Sequence, residues 1–218
     1  MNILFKISIL FLFENYFSEW SEYTKYMTTN LKFSIYRSFC CLMLCLHAFI
    51  NILIEPSFFL TNIFYYNSYY INNLNYWFIS YIIVDLFFML FYRINRKDLY
   101  FHHIFFFFAG WAHRNVYMVN IVLLGEALSV ISALDTYYIE SKLFYKSYIC
   151  KKIRKNIIIY LRFPIWIFLI ISALINYSTM NNYQIGFISI GSILAPYLDY
   201  TWVQKCQKVI DKYENNKQ

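Results

Sequence analysis

Long apolar runs bounded by short polar segments recur along the chain, each long enough to form a helix across much of a bilayer. Seven runs are predicted as helices: Asn2–Phe17, Ser38–Ile54, Tyr76–Tyr92, Leu99–Ala112, Val116–Tyr138, Asn156–Ile175 and Tyr183–Val203. Several fall short of the ~20 residues that cross ~30 Å of hydrocarbon, so flanking Tyr, Trp and Lys are expected to complete them at the interface. The predicted fold class is all-α, a polytopic bundle of transmembrane helices. The first run, interrupted by Lys6 and followed by Glu14, Glu19 and Glu22, reads as a crossing or interfacial helix, since no small-x-small cleavage site follows it.

Polar positions inside these runs carry the functional information. A charge near the bilayer centre costs ~3 kcal/mol or more unless it faces a bundle interior. At ~1.5 Å per residue from the nearest basic segment, His47 lies ~15 Å deep, Asp85 ~12 Å, and His102 and His103 ~6 to 8 Å. Arg162 lies ~10 Å deep, Asp199 ~9 Å and Asp135 ~7 Å, with Glu126 deepest, near the midplane. Their similar depths predict one polar chamber open toward the basic side and capped beyond by aromatic residues. The alternative is separate satisfaction of each group, with Arg162 paired to Asp199 or Asp85 and His47 bonded to a backbone carbonyl.

Charge sets the orientation. Basic residues cluster before the second run (Lys25, Lys32, Arg37), after the third (Arg93, Arg96, Lys97), after the fifth (Lys142 to Lys155) and after the seventh (Lys205 to Lys217). The alternate segments are nearly bare of them, so the positive-inside rule makes the basic segments and the C-terminus cytosolic. A formal net charge of +7 distributed this way argues against nucleic acid as a partner. With 60% hydrophobic and 14% charged residues the composition is that of an integral membrane protein. The five cysteines show no C-x-x-C spacing and are expected as free thiols.

The adjacent His102 and His103 hold the most chemical potential. Neighbouring helical positions diverge by ~100°, so one ring is expected to face the chamber and the other a neighbouring helix or the interface. A histidine here can serve as general base or nucleophile toward a thioester, with Asp85 or Asp135 fixing its tautomer. A metal site built from His102, His103, His47 and Asp85 is the weaker reading, because H-x-x-H-H boxes are absent; no metal and no cofactor is expected. Glu126 with Ser129, three apart, and Tyr81 with Asp85, four apart, share helix faces and are expected as hydrogen-bonded pairs of the chamber or between helices.

The order of motifs resembles the TLC-domain family, the membrane fold shared by ceramide synthases, translocation-associated membrane proteins and an endoplasmic-reticulum export receptor. The resemblance rests on Tyr36-Arg37-Ser38 with His47, Ser80-Tyr81 with Asp85, Tyr100-Phe101-His102-His103, Leu124-Gly125-Glu126 with Ser129, Arg162-Phe163-Pro164, and Leu198-Asp199-Tyr200-Thr201-Trp202. It implies a six-helix core over 36–205 around a lipid-accepting cavity, preceded by an N-terminal hydrophobic helix and amphipathic linker (1–35) and followed by a basic tail (206–218). It also implies residence in the endoplasmic reticulum or another endomembrane. In ceramide synthases the paired histidines sit in the acyl-transfer site, which corresponds here to His102 and His103. Where those enzymes carry a further His-Asp pair this chain has Ser129-Val130, so the pattern is closer to non-synthase TLC proteins.

The function expected is binding, sensing or moving of a long-chain membrane lipid, with His47, Tyr81, Asp85, Glu126, Ser129, Asp135, Arg162 and Asp199 as polar groups of the cavity. One alternative is an N-acyltransferase using acyl-CoA, with His102 or His103 catalytic and a lysine-rich loop from Lys142 to Lys155 attracting its phosphates. A cargo receptor or scaffold is another; a homo-oligomer is compatible with all three, and whether the chain is an enzyme stays open.

Overall fold

The computed structural model describes residues 3, 6–12, 27–55, 63–64, 69–112 and 117–215, and among them every regular element is helical. In chain order these are α1 (Thr29–Ile54), α2 (Tyr69–Phe91), α3 (Lys97–Ala112) and α4 (Met118–Leu124). A 3-10 turn (Gly125–Ala127) leads into α5 (Leu128–Glu140) and α6 (Phe144–Ile157) follows; a π-helical turn (Ile158–Arg162) then joins α6 to α7 (Phe163–Ile175). A second 3-10 turn (Tyr177–Thr179) precedes α8 (Asn182–Asn215). Residues 6–12 form an N-terminal helical segment.

Four helical stretches are long and apolar enough to cross a membrane: Thr29–Ile54, Asn72–Phe91, Met118–Glu140 and Phe144–Ile175. The surface shows what surrounds them. Leu90, Leu174 and Ile193 are 68%, 72% and 75% exposed, whereas Asp85 and Asp199 are 0% exposed. Apolar side chains outside and carboxylates inside is the arrangement lipid favours and water does not. The chain is an all-helical integral membrane protein.

Local chemistry accounts for the helix ends. Thr28 caps α1, its Oγ1 accepting the Leu31 N–H at 3.2 Å. α2 ends at Arg93 (φ 53°), where Ile94 N–H returns to Met89 O at 2.9 Å; α5 ends at Lys142 (φ 57°), where Leu143 N–H returns to Tyr138 O at 2.8 Å. Both are left-handed terminators of the kind glycine usually provides. With a basic residue in that position instead, the sequence does not announce either stop.

Packing runs in a closed circuit. α1 lies on α2, α2 on α3, α3 on α8, α8 on α6 and α7, α6 on α5, and α5 with α4 back on α1. The circuit surrounds a core including Tyr36, Cys41, Leu44, Leu74, Ile82, Met89, Tyr117 and Leu123. The N-terminal segment lies along α2, with Phe11 against Phe87 and Phe88 at 5.0 and 5.1 Å between ring centroids.

The helices outrun the apolar stretches that predict them. α1 begins at Thr29 instead of Ser38, α2 at Tyr69 instead of Tyr76, and α8 continues to Asn215 beyond Val203. The segment Lys142–Lys155 is not a loop: from Phe144 it is α6, continuous through the π turn with α7. Hydropathy marks what sits in lipid; helices continue into water wherever propensity and packing allow. The far end of the first predicted run, the segment His113–Asn115 and the last basic residue, Lys217, lie outside the described residues.

Candidate functional site

Three buried acids organise the interior. Asp85 of α2 receives Arg37 of α1, Nε to Oδ2 at 3.1 Å, and His103 Nε2 lies against the same oxygen. Asp199 of α8 accepts Arg162 Nε–H at 3.0 Å and Trp166 Nε1–H at 2.7 Å. Asp135 of α5 accepts the Ser147 hydroxyl at 2.6 Å and pairs with Lys151 at 2.5 Å. Each pair joins different elements, which makes these charges the polar fastenings of the bundle.

Asp98, at the start of α3, is a fourth anchor at the basic rim. It accepts the Arg96 guanidinium through both oxygens at 3.0 Å, Trp202 Nε1–H at 3.0 Å and Lys205 at 3.1 Å. Burial alone would raise this carboxyl; the Arg96, Trp202 and Lys205 donors overcome it and hold the group well below the usual carboxylate range.

Inside these fastenings is a polar cavity of about 260 Å³. Arg37, Arg96, Lys151, Arg154 and Arg162 line it, with His102, Glu126, Asp135, Ser34, Ser129, Ser132, Thr136 and Trp202. Arg154 makes no ion pair or hydrogen bond with any described residue, and its Nε is buried without an acceptor. Its guanidinium lies over the Trp202 ring at 5.7 Å, and that of Arg162 over the same ring at 5.5 Å.

That shared ring depends on the π turn. Residues eight apart on an α-helix diverge by ~80°, which would turn Arg154 and Arg162 to different faces. One wider turn between them removes roughly a residue's rotation and brings them nearly into line. Pro164 supplies a reason for the turn: it has no N–H for the carbonyl four residues back, and its ring crowds that carbonyl. The Phe163 N–H bonds instead to Ile158 O, five residues back. Opposite, the 3-10 turn offers Gly125 O to Arg162 Nη1 at 3.3 Å, so two helix irregularities meet across the cavity wall.

A second cavity, about 610 Å³ and apolar, lies beyond the first. Ile9 and Leu10 of the N-terminal segment, Phe39 to Ile50 of α1, and Trp77 and Tyr81 of α2 line it. It faces outward between Phe39, Met43, Leu46 and Ile50, which are 46%, 51%, 46% and 50% exposed. Cys41, buried and on neither lining, stands between the two cavities, its thiol donating to Tyr81 Oη at 3.3 Å and standing 3.8 Å from the Glu126 carboxylate.

The predicted site residues therefore divide. His102, Glu126, Ser129, Asp135 and Arg162 line the polar cavity. His47 and Tyr81 line the apolar one. Asp85, His103 and Asp199 are buried among the fastenings and absent from either lining. Within the histidine pair, His102 faces the polar cavity, packed by Phe106 at 4.6 Å and Trp202 at 5.7 Å between ring centroids, and His103 is engaged by Asp85. Two expected pairings differ. Ser129 Oγ donates to the backbone carbonyl of Glu126 at 2.6 Å and not to its carboxylate, because a helical hydroxyl reaches back most easily to the preceding turn. Tyr81 meets Cys41 of the facing helix, while Asp85, one turn further on, is held by Arg37 and His103.

Charge patterning conceals four contributors to the wall: Arg37, Arg96, Lys151 and Arg154 read in sequence as topology signals. A spacing signal exists in Lys151 and Arg154, three apart on one helix face, with Arg162 further along the same helix, cations that lipid would not tolerate outside. Among the described residues no three His, Cys, Asp or Glu side chains gather closely enough to hold a metal ion. No protein-family model, no curated protein and no solved structure matches the chain. Fold and interior thus define a helical membrane protein with a charged cavity beside an apolar one.

Proposed function

We propose that this is a multi-pass membrane protein of TLC type, with a six-helix core, that binds, senses or moves a long-chain lipid and thereby influences membrane lipid composition. The observation that carries this reading is the proximity of two compartments of opposite character, with Tyr81 on one and Glu126 on the other both touching Cys41. The apolar cavity lies within the range of ligand pockets and faces outward on the side where lipid would enter. The polar cavity lies behind the buried Cys41 and Tyr81, so a chain in one and a headgroup in the other fit an amphiphile whose entry parts these two side chains. On this reading the basic helix ends and the C-terminus face the cytosol, and the protein resides in the endoplasmic reticulum or another endomembrane.

A second reading is favoured by the position of His102. It stands on the wall of a cavity rich in arginine, where a general base beside an anionic acyl donor such as acyl-CoA would stand in an N-acyltransferase.

One purification tests both. Lipid extracted from the purified protein is expected to be enriched in particular long-chain species relative to the source membrane, and Met43→Trp, which fills the apolar cavity, is expected to deplete them. A lipid profile matching the bulk membrane for both proteins counts against the reading. Incubation with long-chain acyl-CoA and amine acceptors decides the alternative: an N-acyl product made by the parent and not by His102→Ala identifies an acyltransferase.

A further inference from the structure

We propose that the arginine-lined cavity is a binding site for a phosphate group carried as a monoester or diester.

The inference starts from a surplus of donors. A guanidinium presents five N–H groups and accepts nothing. Arg162 spends two of its nitrogens, on Asp199 and Gly125 O, and Arg96 spends two on Asp98. Arg37 meets Asp85 through Nε, 3.1 Å from Oδ2. Arg154 spends none on any described residue. The acids that neutralise Arg37 and Arg162 sit behind the wall, fully buried at Asp85 and Asp199. On the lining itself, Asp135 is occupied by Lys151 and Ser147, which leaves Glu126 as the lining carboxylate with no ion pair to a described residue. Four of the five cations on the wall are paired, with Asp85, Asp98, Asp135 and Asp199, so it is the unpaired Arg154, together with the N–H groups left over on Arg37 and Arg162, that calls for an occupant rich in oxygen acceptors.

Geometry narrows the class. Arg37 arrives from α1, Arg154 from α6 and Arg162 from the π turn, so donors converge from separate elements. A planar carboxylate offers two oxygens along one edge, whereas a phosphate spreads its oxygens tetrahedrally and can take forks from several sides. Trp202 holds Arg154 and Arg162 together without consuming their N–H groups, because the contact is through the ring face. The cation set is unsuited to a metal ion.

For the rest of the ligand the proposal leans on the lipid reading: a phosphate headgroup here would place its chains past Cys41 and Tyr81 in the apolar cavity. A soluble phosphate ester has the same headgroup chemistry without the chains, and the experiment separates the two.

Full-length protein in detergent is titrated with dioleoyl phosphatidate, dioleoylglycerol and inorganic pyrophosphate, reading binding by native mass spectrometry and thermal shift. The parent is expected to bind phosphatidate at least about tenfold more tightly than dioleoylglycerol, and Arg154→Gln to lose about tenfold or more, the scale of a charged hydrogen bond. Arg93→Gln, which alters an arginine away from the cavity, is expected to bind as the parent does. Ser132→Glu places a negative charge on the cavity wall and is expected to abolish binding; it carries the test if Arg154→Gln does not fold. Equal binding of the two lipids, unchanged in both cavity variants, overturns the phosphate site and leaves lipid binding standing. Pyrophosphate bound in an Arg154-dependent way with neither lipid bound supports the phosphate site, assigns it a soluble phosphate compound and removes the lipid reading. Binding of none of the three overturns both.

Discussion

At the scale of single residues, Arg162 carries the largest expected penalty. It touches Asp199, Gly125 O and the Trp202 face, and Asp199 is fully buried. Arg162→Leu is expected to cost about 3–5 kcal/mol, because it strands a buried carboxylate, and Arg162→Leu with Asp199→Leu to recover most of that. Thermal melting of the purified pair checks it; additive losses would show that the two residues do not act as a unit. The residues of this interior were visible in the sequence because lipid makes a polar side chain conspicuous. Their partners were less so. Arg162 had two candidate acids, and only the packing of α7 against α8 selects Asp199. Arg154 was hidden altogether, since a basic residue at a helix end satisfies the topology rule whether or not it also turns inward.

At the scale of the element, the two departures from α geometry decide what the helices present. The π turn brings Arg154 and Arg162 over one indole ring, so straightening the helix should separate them by ~80°. Pro164→Ala is therefore expected to lower the melting temperature, although alanine is the far better helix former. A rise in melting temperature would mean that the proline does not set the turn. Apolar length made the existence of the helices legible, and four of the seven predicted runs coincide with described helical stretches long and apolar enough to cross a membrane. Their ends were not legible, because Arg93 and Lys142 terminate α2 and α5 in a backbone region where glycine is the usual marker. The π turn had a cue in Arg162-Phe163-Pro164, but a proline alone does not say whether a helix kinks, widens or stops.

At the scale of the whole molecule, the circuit of helices puts the arginine-lined cavity at the end where the basic segments gather. On the proposed orientation, which puts that end in the cytosol, a glycosylation sequon appended after Gln218 is expected to stay unmodified in cells, whereas one placed between α1 and α2 is expected to be glycosylated. Modification at the C-terminus would invert the protein and move the charged cavity to the lumenal side. Composition and charge alternation were enough to read the class of molecule. The pairing of an apolar with a polar compartment was not readable, since it depends on which helix lies beside which.

Lys6 has an implication for how the protein is made. Its ammonium is fully buried, donating at 2.7 Å to both the carbonyl and the side-chain oxygen of Asn73, 67 residues further on, with the Trp77 ring 4.9 Å away. None of those partners exists when the N-terminal segment leaves the ribosome. The segment must therefore wait in water, among headgroups or against an insertion factor, until α2 emerges and gives its charge somewhere to go, so the first wall of the apolar cavity to be synthesised is among the last that can be closed.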